Sequence, residues 1–195
     1  MRIYNFLILT ILLISSNIQA DDKAYVVDDT HFALGFLVEH AGYAKTLGMF
    51  KEIEGSFTYD EEKNIVKNVN ITINTNSVFT NHEGRDSHLR SPDFLDTDQY
   101  PNMTFISNIN DLNNNPGKII GELTLLGVTR PLILNVKINK IAQYPFRVGL
   151  FKPIVMGVSA NASFKRSDFG MNYAVDKKLV GDKIELIIEF EAIQQ

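Results

Sequence analysis

The sequence predicts an all-β fold of about eight half-buried strands, arranged either as a sandwich or as a barrel. Two observations predict it. After Ala20 the dominant hydrophobic period is two residues, which is the period at which side chains alternate between the faces of a strand. Short polar segments rich in Asp, Asn and Gly separate the alternating stretches, and these residue types favour turns.

The alternating stretches follow one another along the chain. Residues 69–74, for example, read Val-Asn-Ile-Thr-Ile-Asn, so every second side chain is apolar. We predict strands centred on residues 32–38, 53–59, 69–73, 103–109, 123–125, 132–138, 156–164 and 184–190. We predict turns at residues 60–64, 111–117 and 180–182.

The segment GRDSHLRSPDFLDTDQYP interrupts the two-residue period. Ser91 can accept a backbone N–H as a helix N-cap, and Pro92 suits the first helical position. Asp93 favours the positive end of a helix. The sequence therefore predicts a short helix over residues 91–96, with a further turn of helix over residues 81–90.

The first twenty residues have the pattern of a secretory signal peptide. Arg2 gives a positive start, residues 3–14 are mostly apolar, and the small residue Ala20 suits cleavage. An uncleaved anchor is the alternative, but the apolar run falls short of the ~18 residues that span a membrane. We therefore predict a signal peptide at residues 1–20, followed by one domain at residues 21–195 and export to the periplasm.

Composition restricts the classes of partner. The chain has a net charge of −4 with histidine neutral and contains no basic tract, which argues against nucleic acid and against an anionic lipid surface. It contains no cysteine, so thiol chemistry and cysteine metal sites are excluded. A cysteine-free domain of this size fits a bacterial periplasmic protein that is stabilised by its core alone.

Alternation alone does not say whether the apolar face points inward or outward. A membrane barrel would carry paired aromatic girdles, which are absent from this sequence, so we expect no stable membrane insertion. With the apolar face inside, small inward residues would leave space in the barrel for one apolar ligand. The small residues with inward parity are Gly35 or Gly55, Gly121, Ala160 and Ala162.

Four segments carry a resemblance to a known family. They are DDTHFALGFLVEHAGYAKTLGMFKEIEGSF (28–57), GRDSHLRSPDFLDTDQYPNMTF (84–105), GELTLLGVTRPLIL (121–134) and RSDFGM (166–171). In this order and spacing they resemble the YceI-like family of periplasmic lipid-binding domains. Phe32, where the family often has serine, and Glu39, where a basic residue is common, depart from the pattern.

The resemblance implies an extended antiparallel eight-stranded, lipocalin-like barrel with a short helical lid segment. It also implies a long isoprenoid-type lipid, either an isoprenoid quinone or a polyprenyl phosphate, held in the tunnel for transport, storage or sequestration. The candidate tunnel-lining residues are Leu34, Phe36, Val38, Phe57, Ile71, Ile73, Phe94, Leu95, Phe105, Leu123, Leu125, Val158, Ala160, Ala162 and Phe164.

Four residues of the lid segment, Arg85, Asp86, His88 and Arg90, combine acid, base and cation. We interpret them as a clasp between lid and barrel, with Arg85 or His88 contacting a lipid head group. A hydrolase that uses Asp86 and His88 is the enzymatic alternative, but no serine nucleophile elbow or glycine-rich phosphate loop accompanies them. A third alternative is an apo barrel that docks a partner protein.

No catalytic residue, metal site or cofactor is assigned from the sequence. The four histidines are His31, His40, His82 and His88, and none forms an H-x-H or H-x-x-x-H pair. Zinc sites need three or four convergent ligands, so structural histidines are favoured. A homodimer is left open.

Overall fold

The computed structural model describes residues 22–195, so the predicted signal peptide lies outside the described residues. This part of the chain forms ten strands and one α-helix. The strands are β1 (Lys23–His40), β2 (Ala44–Phe50), β3 (Ile53–Asp60), β4 (Ile65–Asn74), β5 (Val78–Phe79), β6 (Asn102–Asp111), β7 (Lys118–Leu125), β8 (Val128–Gln143), β9 (Ile154–Lys165) and β10 (Val180–Gln194). The helix α1 spans Glu83–Arg90, and 3₁₀ turns span Thr75–Ser77 and Arg166–Phe169. Within residues 22–195, no helix has the length and apolar character needed to cross a membrane.

Eight of these strands close into an antiparallel barrel. The order around the ring is β1, β3, β4, β6, β7, β8, β9 and β10, and pairs such as Phe36 with Leu186 join β10 back to β1. The first part of β1 pairs with β3, and its second part pairs with β2. Only Lys51 and Glu52 separate β2 from β3, so these two strands share one position in the wall. The predicted eight-stranded antiparallel barrel is confirmed.

Each of the eight predicted stretches lies in one of the ring strands, but β2 and β5 were not predicted. In β2 the apolar alternation is inverted. Leu47 and Met49 point to solvent, whereas Gly48 is buried. Gly48 pairs with Phe36, whose ring lies where a Cβ at position 48 would be, at 2.2 Å. A wall position that needs glycine beneath a neighbouring ring has no hydrophobic signature in the sequence.

The β6–β7 junction is the shortest in the ring, with three residue pairs from Thr104–Thr124 to Ile106–Glu122. Beyond it, side chains replace the backbone ladder. Asn110 accepts a hydrogen bond from the Ile120 N–H (2.7 Å) through Oδ1 and donates to the Ser107 hydroxyl (2.7 Å) through Nδ2. Ser107 in turn donates to the Ile120 carbonyl. Both side chains are buried, so these bonds keep the wall paired where the strands separate.

Two sequence predictions about local structure are wrong. Residues 180–182 begin β10 instead of forming a turn. Gly181 is needed there because the β1 backbone passes so close that an added Cβ would lie 2.9 Å from the Cβ of Glu39. The predicted helix over residues 91–96 does not form, whereas the predicted turn of helix over residues 81–90 is confirmed as α1. This helix begins after the N-cap His82, and Ser91 ends it with extended backbone before Pro92.

A buried arginine organises one end of the barrel. Arg166, 1% exposed, donates to the carbonyls of Gly181 (2.8 Å), Met171 (2.8 Å), Tyr173 (2.7 Å) and Val180 (2.9 Å). Burial lowers the pKa of the guanidinium, and the nearby Asp182 carboxylate acts in the opposite direction. The bonds tie the end of β9 to the 171–173 segment and to the start of β10.

We predict that Arg166→Met lowers the free energy of unfolding by about 3–5 kcal/mol, because it leaves buried carbonyls without donors. Arg166→Lys is expected to recover only part of the loss, since an ammonium lacks the planar fork that reaches these acceptors. Urea unfolding followed by circular dichroism measures both variants. Arg130→Met, at an exposed arginine, is the matched control, and equal effects at the two positions would contradict the role of Arg166.

Candidate functional site

The barrel encloses a cavity of about 510 Å³. Its wall is built from the inward-facing rows of all eight ring strands, and most of the lining side chains are aliphatic or aromatic. This volume lies within the ~300–1,000 Å³ range of small-molecule sites, which are also mostly apolar. The cavity is therefore large and apolar enough to take an apolar ligand.

The predicted tunnel residues lie along this cavity with one exception. The residues on its wall are Leu34, Phe36, Val38, Phe57, Ile71, Ile73, Phe94, Leu95, Phe105, Leu123, Leu125, Val158, Ala160 and Phe164. Ala162 is buried in the same inward row of β9 but does not line the cavity. It lies in the packed part of the wall, so position 162 is a core position.

The two ends of the barrel differ. The lid end is the end at which β1 finishes at His40 and near which α1 lies, and the hairpin end is the opposite one, at which β1 begins. Toward the hairpin end the lining residues, such as Val27, Val66 and Leu112, are buried. Toward the lid end the lining includes exposed side chains, among them Arg85 and Tyr173. The cavity therefore opens at the lid end.

Polar lining residues gather at this mouth. They are Glu39, His40, Thr46, Arg85, His88, Arg166 and Tyr173. The sequence prediction named only Arg85 and His88 of this group. Arg166 and Tyr173 come from the 166–173 segment, which folds over the mouth because of the Arg166 bonds. A local sequence pattern does not contain that long-range arrangement.

Asp86 and Arg85 connect α1 to the barrel through one residue. The Asp86 carboxylate, 3% exposed, accepts from the backbone N–H of Thr80 (2.8 Å) and from its hydroxyl. Arg85 donates to the Thr80 hydroxyl and to the Thr80 carbonyl, both at 2.7 Å. Thr80 directly follows β5, which pairs with β2 in the wall. These contacts join α1 to the segment that follows β5, and the clasp role of Arg85 and Asp86 stays a prediction.

Arg90 binds the barrel side, whereas His88 contacts other residues at the lid end. Arg90 donates to the carbonyl of Asn76 (3.1 Å) and to that of Val78 (3.3 Å). His88 contacts the Asp93 carboxylate through Nε2 (2.8 Å), and its ring lies edge-on to Phe94 and Tyr173, each with centroids 5.0 Å away. Asp86 is thus bound to Thr80 and His88 to Asp93. The hydrolase hypothesis instead needs Asp86 and His88 to contact each other as an acid–base pair.

A second polar cluster, which the sequence reasoning missed, lies at a bulge in β1. The β1–β10 register shifts between Val27 and Phe32, and ligand atoms of Asp28, His31 and Glu191 lie within 4.8 Å of one another. The spacing of the histidines does not predict this cluster, because two of its three groups are carboxylates. Asp28 Oδ1 accepts from Thr30 and Oδ2 from His31 (2.9 Å), and Glu191 shares a side-chain hydrogen bond with Tyr144. Each of the three groups therefore has a hydrogen-bond partner within the protein.

These hydrogen bonds shift the pKa values of both Asp28 and His31. Burial raises the pKa of Asp28, but hydrogen bonds from Thr30 and His31 outweigh it and hold the pKa below its ordinary value. The hydrogen bond to Asp28 raises the pKa of His31. The Asp28 contribution to stability is lost as pH falls through its lowered pKa, and the His31 contribution is lost as pH rises through its raised pKa. The Asp28–His31 pair therefore stabilises the fold at pH values between the lowered pKa of Asp28 and the raised pKa of His31.

We predict that Asp86→Asn lowers the melting temperature, with a loss of about 2–4 kcal/mol, because a neutral amide oxygen accepts the two Thr80 bonds more weakly than a carboxylate and no longer offsets the Arg85 cation. Thermal unfolding measures it. Asp93→Asn, at the exposed partner of His88, is the matched control and is expected to change stability by less than about 1 kcal/mol. An unchanged melting curve for Asp86→Asn would exclude the clasp role.

We also predict that Asp28→Asn moves the pKa of His31 back toward its ordinary value, because the charged hydrogen-bond acceptor is lost. NMR titration of the histidine ring protons reports the midpoint directly. Asp29→Asn, at the adjacent exposed carboxyl, should leave the midpoint where it is. A midpoint that does not respond to Asp28→Asn would show that the Asp28 contact is not maintained in solution.

Comparisons with known proteins agree with this architecture. Residues 25–192 match the family described as the YceI-like domain. The protein YceI of Shigella flexneri is 39% identical over 165 residues, which cover 85% of this chain and 83% of that protein. The crystal structure of the Campylobacter jejuni YceI protein is 31% identical with a TM-score of 0.69, covering 80% of this chain and 90% of that one.

A polyisoprenoid binding domain from Saccharophagus degradans, implicated in plant cell wall breakdown, is 16% identical with a TM-score of 0.62. The structural similarity covers 88% of this chain and 98% of that chain, and at this sequence identity it shows only that the two chains share a fold. The family match spans nearly all of the described barrel, and the Shigella flexneri relative covers 85% of the chain. The chain belongs to the YceI-like domain family.

Proposed function

We propose that this protein is a periplasmic lipid-binding protein that encloses a long isoprenoid-type lipid in the barrel and carries out no chemistry on it. The observation that carries the proposal is the apolar cavity, which is closed by buried side chains at the hairpin end and opens among polar side chains at the lid end. An amphiphile with one long tail has the same polarity profile. Its tail would lie between the strands, and its head would lie at the mouth.

The mouth favours a polar or anionic head group. Arg85 and Arg166 both line it, and both remain cations while donating to neutral acceptors, with Glu39 as the opposing carboxyl. The Asp182 carboxylate lies near Arg166, and Asp86 shares the Thr80 hydroxyl with Arg85, but neither carboxylate is hydrogen-bonded to these guanidiniums. The two cations suit the phosphate of a polyprenyl phosphate, and N–H groups that are not bound to the protein suit the carbonyl of an isoprenoid quinone. These are the two lipid classes that the family resemblance implies.

The driving force would be burial of the tail. Each enclosed CH₂ contributes ~0.8 kcal/mol, so about ten enclosed carbons give a gross ~8 kcal/mol before the cost of ordering the chain. This is enough for transport, storage or sequestration without a covalent step. The bonds of Asp86 to Thr80 and of His88 to Asp93 support a structural role for the lid residues. The predicted signal peptide and the family support the periplasmic location.

Organic extraction of the purified protein followed by mass spectrometry tests the proposal. We expect an isoprenoid lipid in a fixed ratio to protein, and renewed uptake when delipidated protein is incubated with ubiquinone or undecaprenyl phosphate. An extract without an amphiphilic lipid, together with no uptake of either compound, would overturn the proposal.

We predict that Ala160→Phe gives a folded protein that retains little lipid, because Ala160 lines the cavity between Val136 and Ile188 and the added ring would occupy ligand space. Extracted lipid per mole of protein is measured alongside circular dichroism. Ser163→Phe, on the exposed face of the same strand, is the matched control and should retain its lipid. Normal lipid content in Ala160→Phe would contradict a ligand at this position.

Ala162→Phe provides a contrast on the same strand. Its ring would enter the packed wall instead of the cavity, so we expect destabilisation of about 1–3 kcal/mol. A different outcome at positions 160 and 162 separates occupied ligand space from solid core.

A further inference from the structure

The hairpin end carries an exposed apolar tip on the β8–β9 connection, residues 144–153. Its sequence is YPFRVGLFKP. Phe146 is 68% exposed, Val148 50%, Leu150 82% and Phe151 77%. Scattered single apolar residues are ordinary on protein surfaces, but a contiguous group of this kind marks an interaction site.

The tip is a formed hairpin. Val148 and Phe151 exchange both backbone hydrogen bonds (2.9 and 3.3 Å) around a two-residue turn, and Gly149 adopts a positive φ of 61° at its first central position. At the base, the Tyr144 N–H donates to the Pro153 carbonyl (2.7 Å). The Tyr144 ring also packs edge-on against Phe146, with centroids 5.6 Å apart. The backbone therefore holds the apolar side chains out in water, where they gain nothing from the barrel core.

The charges of the tip have one sign. Arg147 and Lys152 are its charged residues, and residues 144–153 contain no acid. The whole chain is negative, so this segment differs from the surface average that argues against anionic lipid. Aromatic and aliphatic side chains flanked by Arg and Lys match a phospholipid interface, where rings and alkyl groups enter the acyl boundary and cations lie at the phosphates.

We propose that residues 144–153 insert into the surface of a phospholipid bilayer and dock the barrel on it by its hairpin end. A bilayer fits better than a second copy or a folded partner, because stable protein interfaces use about 20–30 residues a side and this narrow tip offers far fewer. Shallow insertion needs only the apolar side chains of the tip. The mouth of the cavity, at the opposite end, stays free of the docked membrane.

Flotation with phospholipid vesicles tests the proposal. The tip variant Phe146→Ser/Leu150→Ser/Phe151→Ser removes exposed side chains, and the control variant Tyr43→Ser/Leu47→Ser/Met49→Ser removes exposed side chains that lie away from the tip and do not line the cavity. We expect the tip variant to lose at least about tenfold in partitioning, and the control to stay within about twofold of the unsubstituted protein. Partitioning should be stronger on vesicles of phosphatidylcholine with phosphatidylglycerol than on phosphatidylcholine alone, and Arg147→Gln/Lys152→Gln should remove this difference.

A second measurement does not depend on truncating the tip. The chain contains no tryptophan, so Leu150→Trp places a single indole at the tip, and Tyr43→Trp places one near the lid end. We expect the emission of the Leu150→Trp protein to shift to the blue on addition of vesicles, while that of Tyr43→Trp stays constant. The reverse result would show that the mouth docks, and it would overturn the proposal.

Three further results would contradict membrane docking by the tip. If the unsubstituted protein fails to float with both vesicles, or if the tip variant floats equally well, the proposal is wrong. A dimer that becomes monomeric in the tip variant, with no flotation of either, would assign the tip to contact between copies. Lipid extracted from the same preparations is scored separately, so docking without a bound isoprenoid, or a bound isoprenoid without docking, tells the two proposals apart.

Discussion

The guanidinium of Arg166 holds the lid end together, because it is the point at which separate segments share one set of hydrogen bonds. It donates to carbonyls on the 171–173 segment and at the start of β10, while it also lies 5.7 Å from the Phe94 ring of the lid. A lysine could not satisfy these acceptors together, since they lie in different directions around a planar group. The same side chain forms part of the cavity wall. One residue therefore contributes both to the closure of the barrel end and to the polarity of the mouth.

The cavity follows from a conflict between barrel geometry and side-chain volume. An eight-stranded barrel has an interior that side chains can just fill, so whether space remains depends on which residues point inward. Here aromatic rings fill part of the interior: the Tyr25 and Phe57 rings stack at 5.4 Å near the hairpin end. Further along, the small side chain of Ala160 and the backbone of Gly35 line the open space. The barrel is thus plugged at one end and hollow toward the other.

The alternation of apolar residues predicts the ring strands and the inward rows because both depend only on neighbouring positions in one strand. It fails at β2, where Gly48 lies beneath the Phe36 ring and the apolar side chains face water. Local sequence also misplaces the helix at Ser91, because the side chain of this residue can cap either end of a helix. The hydrogen bond between Asp86 and Thr80 favours a helix before Ser91. The cluster of Asp28, His31 and Glu191 could not be predicted from local sequence, because its members meet only through the register of β1 with β10. Contacts between distant segments are thus the part that local patterns do not encode.

The wall itself determines where a ligand could enter. A ladder of backbone hydrogen bonds resists separation because every opened pair exposes unsatisfied donors and acceptors. The β6–β7 junction would be the natural breach, but Ser107 and Asn110 supply its missing bonds from buried positions. The lid, in contrast, is held mainly by side chains: α1 meets the barrel through the Thr80 contacts and through Arg90. Opening the lid breaks fewer hydrogen bonds than opening the wall, so the lipid that we propose would enter more easily at the lid end.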